Sequence, residues 1–134
     1  MKKQLIVVMT FLAGLAAAHS SSGQESDEAD ASAKDDCVQI RSVDGWSSID
    51  DWHIVVRASR DEQYLLTMRT ACRGIRSANS IALSNRMGRL CPDDYGRVTF
   101  RYAGMRESCR IENVEQVADK DEAKALVEAR KSEE

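Results

Sequence analysis

The chain has few of the residues that carry out common enzyme chemistry. Its 134 residues include only two histidines, His19 and His53, and one proline. No glycine-rich phosphate loop occurs, and neither the G-x-S-x-G nor the H-E-x-x-H pattern of hydrolases is present. We therefore predict no catalytic residue and no cofactor. His53 alternates with apolar neighbours, which favours a strand side chain over a general base.

Close cysteine pairs are also missing. Cys37, Cys72, Cys91 and Cys109 are separated by 35, 19 and 18 positions. Structural zinc sites use close pairs such as C-x-x-C, so we predict no metal site. Four cysteines in a small exported domain are instead typical of two disulfides.

No apolar run reaches the length of a typical transmembrane helix. Leu5 to Ala18 falls short of the ~20 residues needed. Lys2 and Lys3 precede this run, and small residues end it. The pattern predicts a signal peptide over residues 1–18, with cleavage after Ser20 or a retained anchor as alternatives. The predicted location is periplasmic or secreted, with no transmembrane segment after cleavage.

The remaining chain divides into three segments by composition. Residues 19–36 are acidic and lack large apolar side chains, which predicts a disordered linker. Residues 37–118 hold all four cysteines and most branched aliphatics, which predicts one domain. Residues 119–134 form a charged tail rich in helix formers, with Asp119 or Asp121 as the helix cap.

Alternating apolar residues predict several short strands in the domain. The fold class is therefore mainly β, a small antiparallel barrel or sandwich stapled by two disulfides, with a short C-terminal helix. One helical turn is expected within residues 73–79. The predicted strands cover residues 38–43, 52–57, 64–68, 81–83, 97–102 and 111–117.

Spacing alone leaves three disulfide connectivities open. In a small barrel the first and last strands can be neighbours, which would bring Cys37 toward Cys109. That arrangement predicts the pairs Cys37–Cys109 and Cys72–Cys91. Each crosslink is expected to stabilise the domain by roughly 3–4 kcal/mol in the chain-entropy model.

Lysine is absent between Cys37 and Ala118. Twelve arginines face ten acidic residues there, so this domain is near +2 within a chain of net charge −3. The guanidinium fork suits carboxylate and phosphate groups. We predict an anion-binding face that includes Arg57, Arg97 and Arg101, with an envelope protein, lipid headgroup or glycan as partner. Ordinary surface salt bridges and codon bias are the alternative explanation.

Nucleic acid is not expected as a partner, because exposed aromatic platforms are not evident in the sequence. A structural accessory of an envelope complex is a related alternative. The predicted role is therefore non-catalytic.

Adjacent carboxylates offer a different function. Asp50-Asp51 and Asp93-Asp94 suit turns, because aspartate hydrogen-bonds its own backbone. A small secreted enzyme that uses Asp51 or Asp94 as acid or base is the alternative to a binding domain.

Six segments together resemble an uncharacterised family of small secreted proteobacterial envelope proteins. They are C-V-Q-I-R-S-V, S-I-D-D-W-H-I-V-V, Y-L-L-T-M, A-C-R-G-I, G-R-L-C-P-D-D and C-R-I-E-N-V. The chain departs from the family pattern at Arg73, where proline is typical, and at Arg110, where glycine is typical. The resemblance implies a shared envelope fold and no known activity.

Overall fold

The computed structural model describes residues 36–92 and 96–134, and these form eight strands and one α-helix. Short 3₁₀ turns cover Ile40–Ser42, Ser59–Asp61 and Ile75–Ser77. The strands and the helix are β1 (Val38–Gln39), β2 (Gly45–Ser48), β3 (His53–Arg57), β4 (Gln63–Met68), β5 (Ile81–Ser84), β6 (Arg89–Leu90), β7 (Arg97–Tyr102), β8 (Met105–Val117) and α1 (Lys120–Glu133).

Six strands form one antiparallel sheet in the order β2-β3-β4-β8-β7-β5, which curls into a half-barrel. The long strand β8 lies in the middle and pairs with β4 along its second half and with β7 along its first half. A two-residue turn joins β7 to β8. Ala103 and Gly104 both have positive φ there, as the tight hairpin turns matched to sheet twist require.

The inner face of the sheet carries the main core. Ile54 on β3, Leu66 on β4 and Val98 on β7 are completely buried there, and they alternate with residues that face outward. This is the period-two pattern that the sequence showed. The mainly β fold with an antiparallel sheet is confirmed.

A bulge in β8 explains why two residues three positions apart are buried on the same face of the sheet. Ile111 and Val114 both belong to the inner core, although strict alternation would put them on opposite faces. The pairing shifts at this point, because Thr67 lies opposite Asn113 while Met68 lies opposite Ile111. The extra residue is Glu112, and it resets the alternation so that Arg110 faces outward.

Helix α1 covers part of the outer face. Ala123 and Val127 are buried against Val55, Leu65 and Val117 in a second, smaller core. The predicted cap Asp119 accepts a hydrogen bond from the Glu122 backbone N–H at 2.8 Å. The predicted C-terminal helix is thus confirmed, and its apolar stripe holds it on the sheet.

The predicted disulfide pairing is wrong, although all four cysteines are bonded. The pairs are Cys37–Cys91 and Cys72–Cys109, with Cα–Cα distances of 4.1 and 5.9 Å. The expectation of neighbouring first and last strands fails because β1 leaves the main sheet and pairs with β6. Val38 lies opposite Leu90 in that pair, so continuing the register places Cys37 opposite Cys91.

The second disulfide follows from the contact between β4 and β8. Beyond the end of β4, the Arg69 backbone N–H donates to the Arg110 carbonyl at 2.9 Å. The chain therefore continues beside β8 and brings Cys72 next to Cys109. Cys72 is fully buried in the main core, so this crosslink is also a packing element.

Several local predictions differ from the structure in extent. The first predicted strand, residues 38–43, is a strand only over Val38–Gln39. Strand β2, Gly45–Ser48, lies between two predicted strands and is not among them, because Asp44-Gly45 is also a typical turn sequence. The signal peptide, the linker up to residue 35 and Asp93-Asp94 lie outside the described residues. Within the described ranges, no helix has the length and apolar character to cross a membrane.

Candidate functional site

Two neighbouring strands place four arginines on a part of the outer face that no other described element covers. On β7, Arg97 and Arg101 are exposed on either side of Thr99, while Val98 and Phe100 are buried. On β8, Arg106 and Arg110 are exposed on either side of Ser108. We call these six residues the arginine stripe, namely Arg97, Thr99, Arg101, Arg106, Ser108 and Arg110.

The register of the hairpin sets like charges opposite each other. Arg97 lies opposite Arg110, and Arg101 lies opposite Arg106. Between these two pairs the Thr99 hydroxyl donates to the Ser108 hydroxyl at 3.5 Å, which shows that both side chains share this face. Like charges in direct cross-strand positions destabilise a sheet. The hairpin therefore contains two arginine pairs that repel each other in the free protein.

One end of the stripe opens into a groove of about 1000 Å³, which we call the arginine groove. Arg69 joins Arg97 and Arg110 there because its backbone bonds to Arg110, and Arg86 enters from the turn after β5. The lining residues are Arg69, Ser84, Asn85, Arg86, Met87, Arg97 and Arg110.

None of these arginines is neutralised by a neighbouring carboxylate within the part of the chain that the structure describes. The ion pairs formed by the described residues involve other basic groups. The six arginines of the stripe and the groove are Arg69, Arg86, Arg97, Arg101, Arg106 and Arg110. An unopposed guanidinium cluster is suited to bidentate contacts with an added anion.

The predicted anion-binding residues do not all lie together. Arg97 and Arg101 share the outer face of β7, but Arg57 lies on β3, with β4 and β8 between the two strands. The Arg57 Nε donates to Asp44 Oδ1 at 2.8 Å, and this bond raises the pKa of Arg57. Its charge is thus already opposed within the domain. Sequence order could not show this separation, because it depends on the order of strands in the sheet.

The Asp50 carboxylate, in the turn between β2 and β3, makes structural contacts instead of lining a cleft. Asp50 Oδ1 accepts the Trp52 backbone N–H at 2.8 Å, which confirms the turn interpretation for this residue. The same oxygen lies 2.8 Å from His53 Nδ1, and Asp50 Oδ2 lies 3.1 Å from Lys131 Nζ on α1. This cluster ties the helix to the turn between β2 and β3.

The charge of Asp50 is favoured by these contacts. Burial of the carboxylate raises its pKa, but the Trp52 N–H, His53 and Lys131 together lower it by more. The net pKa of Asp50 therefore lies below its ordinary value, so the ionised form is the stable one near neutral pH.

Asp51, the predicted acid or base of the alternative enzyme, lines neither the arginine groove nor either of two smaller cavities, of about 320 and 330 Å³, formed by described residues. Its backbone carbonyl accepts the Cys72 N–H at 2.6 Å. Asp94 lies outside the described residues. Among the residues described, no group of three or more histidine, cysteine or acidic side chains could hold a metal ion.

These features define a small mainly β domain with two disulfides and an outer sheet face rich in unopposed arginine. A family model matches residues 1–134, and the chain belongs to this family of unknown function (DUF6491). No curated protein and no solved structure matches the chain. Membership of an uncharacterised family is thus confirmed, while the proteobacterial and secreted character remains a prediction.

Proposed function

We propose that this protein is a non-catalytic domain of an extracytoplasmic compartment that binds an anionic partner through the arginine stripe. The observation that carries the proposal is that two pairs of arginines lie directly opposite each other on adjacent strands, Arg97 with Arg110 and Arg101 with Arg106. Like charges in such positions cost folding free energy unless an anion lies between or over them. A bound anion would convert the repulsion into a set of charge-assisted hydrogen bonds.

The compartment is supported by the two disulfides. Both crosslinks tie segments that are far apart in the chain, with sequence separations of 54 and 37. Disulfides of this kind persist in oxidising compartments and are rare in the cytosol. The apolar N-terminal run after two lysines supports export by a signal peptide. A periplasmic or secreted location is part of the proposal.

Net charge makes the binding test selective. The chain carries a formal charge of −3, so it should be repelled on average by an anionic matrix near neutral pH. We expect the purified protein nevertheless to be retained on immobilised heparin at low salt. The double variant Arg97→Glu/Arg101→Glu should elute at clearly lower salt, because it reverses two charges of the stripe.

A matched control uses two arginines outside the stripe. Arg41 and Arg89 are exposed on the part of the domain formed by β1 and β6, and Arg41→Glu/Arg89→Glu changes the net charge by the same amount. Retention of this control close to that of the unmodified protein supports the proposal. Equal loss of retention in both variants, or no retention of the unmodified protein, would contradict it.

A further inference from the structure

The stripe has two arginine clusters rather than one. The first is the arginine groove, where Arg97 and Arg110 stand beside Arg69 and Arg86. The second is the distal pair, Arg101 with Arg106, next to the hairpin turn. Arg101 lies four positions after Arg97 on the extended strand, which corresponds to ~13 Å.

The groove offers more than positive charge. Arg69, Arg110 and Arg97 lie on neighbouring positions of adjacent chain segments, which in a sheet are ~4.8 Å apart. Ser84 lies opposite Arg97 on β5 and adds a hydroxyl at the same edge. Guanidinium groups carried by adjacent chain segments can reach different oxygens of one phosphate-bearing segment.

The segment between the two clusters is polar and neutral. Thr99 and Ser108 occupy it and hydrogen-bond to each other, so on the outer face of the described strands β7 and β8 a ligand chain meets no acidic or bulky side chain between the clusters. No aromatic side chain faces outward between the clusters in the described part of β7 and β8. Stacking of bases, on which binding of single-stranded nucleic acid depends, therefore has no platform there.

The distal pair is held in place by the turn region. The Tyr102 ring lies over Gly74, and a side chain at Gly74 would collide with it. Gly74 also has φ +89°, a conformation that favours glycine. The nearby disulfide Cys72–Cys109 fixes β8 between the two clusters. The strands that carry both clusters are thus already in place in one sheet, and a ligand has to order only the exposed arginine side chains.

We infer that the arginine stripe binds an extended phosphate-bearing chain that reaches from the arginine groove to the distal pair. This inference rests on the proposed function and specifies its ligand as a linear polymer with repeated phosphate groups. A single phosphate group would occupy the groove alone. A chain that spans ~13 Å engages both clusters, and the second contact then becomes intramolecular.

Calorimetric titration with three inorganic probes tests this inference. Orthophosphate, tripolyphosphate and a linear polyphosphate of about fifteen units would be compared at matched ionic strength, and the longest should bind at least about tenfold more tightly per chain than tripolyphosphate. The variant Arg101→Gln/Arg106→Gln should lose this gain, while its affinity for orthophosphate should fall much less, because the removed charges lie ~13 Å from the groove. The variant Arg97→Gln/Arg110→Gln should weaken the binding of all three probes.

The controls separate this inference from the proposed function. Arg41→Gln/Arg89→Gln should behave as the unmodified protein, and equal weakening in this control would overturn the inference. Retention on heparin that depends on Arg97 and Arg101, without any dependence on polyphosphate length, would leave the proposed function standing and overturn the extended ligand.

Vesicles provide the arm for a membrane source of phosphate. Phosphatidylcholine vesicles with phosphatidylglycerol present many phosphate groups on a surface rather than along a soluble chain. We expect the soluble polyphosphate to displace the protein from such vesicles. Tight vesicle binding that depends on Arg101 and Arg106, together with no polyphosphate binding, would assign the stripe to a membrane surface and overturn the inference.

Discussion

The outer face of the sheet has two halves that differ in how they are covered and in how their charged side chains are paired. In the helix-covered half, α1 lies over Val55, Leu65 and Val117, and the basic groups of its last turn have acidic partners. Arg130 makes two bonds to Glu115 at 2.8 and 2.7 Å, and Lys131 contacts Asp50. In the arginine half, no described helix lies over β7 and the first part of β8, and arginines lie opposite each other there.

The difference is informative because both halves belong to one sheet. Arg57, at the edge of the helix-covered half, has Asp44 as its partner, whereas Arg97 has Arg110 opposite it. A protein that only needed a soluble surface could alternate charges on both halves. We infer that the helix-covered half is built for stability and that the arginine half is built for an external anion.

The largest expected effect comes from the disulfide beneath the arginine half. The variant Cys72→Ala/Cys109→Ala should lose roughly 4 kcal/mol of unfolding free energy from loop entropy. A further loss is expected because Cys72 is 1% exposed and packs in the main core. Urea unfolding measures the change.

The other disulfide is the comparison for this variant. Its loop is of similar entropic weight, but Cys37 and Cys91 are only half-buried and lie outside the main sheet. Cys37→Ala/Cys91→Ala should therefore be the milder change. The reverse order would show that the arginine half does not depend on its crosslink. Peptide mapping without reduction should recover these same two pairs.

Weakening the contact between α1 and the sheet should have the next largest effect on stability. Val127→Ala removes a fully buried contact of α1 and should cost about 2 kcal/mol. Hydrogen exchange should accelerate in α1 but not in the hairpin of β7 and β8. The exposed Lys124→Ala is the control on the same helix, and a comparable loss of stability there would contradict the assignment of the interface.

Neutralising Asp50 should weaken the helix anchor by about 1–2 kcal/mol, because the variant Asp50→Asn loses charge-assisted contacts with Lys131 and His53. The pKa of Asp50 is lowered in the folded protein. Its contribution is therefore fully present above the unfolded value of ~3.9 and is lost as the pH falls through the lower folded pKa.

Unfolding experiments between neutral and acid pH check this prediction. The stability difference between Asp50→Asn and the unmodified protein should stay constant near neutral pH and vanish in acid. Asp44→Asn is the control, because its ion pair with Arg57 is exposed by more than half on both sides and should contribute little. A difference that grows in acid would contradict the anchor.

The smallest expected effect has the opposite sign. Arg97→Gln and Arg110→Gln should each stabilise the free protein by ~0.2–1 kcal/mol at low salt, because each relieves the same cross-strand repulsion. Added salt should shrink the gain. Thermal unfolding at two salt concentrations measures it, with Arg41→Gln as the control. Destabilisation by both changes would show that these arginines are satisfied within the fold.

Part of the arginine half could be predicted from the sequence. A two-residue turn at Ala103-Gly104 places residue 102 opposite 105, and the register then sets Arg97 opposite Arg110. Alternation predicts β7 and its arginines, whereas Arg106 and Arg110 were missed because their strand was predicted to begin only at Ile111. The two-residue turn alone is enough to predict that Arg106 and Arg110 lie opposite Arg101 and Arg97.

Other features depend on contacts that no local pattern contains. Arg69 reaches the groove because β4 pairs with β8, and Arg57 is excluded from it by the order of the strands. The disulfide pairs follow from the separate pairing of β1 with β6. Alternation predicts that a strand exists and which face is buried, but it does not predict the neighbouring strand.

The interaction energy between Arg97 and Arg110, measured with and without tripolyphosphate, tests the central claim most directly. A double-mutant cycle with Arg97→Gln and Arg110→Gln should give a repulsive coupling in the free protein at low salt. Tripolyphosphate should stabilise the unmodified protein in a concentration-dependent way and the double variant far less. An absent or attractive coupling in the free protein, or equal stabilisation of both proteins by tripolyphosphate, would contradict the account.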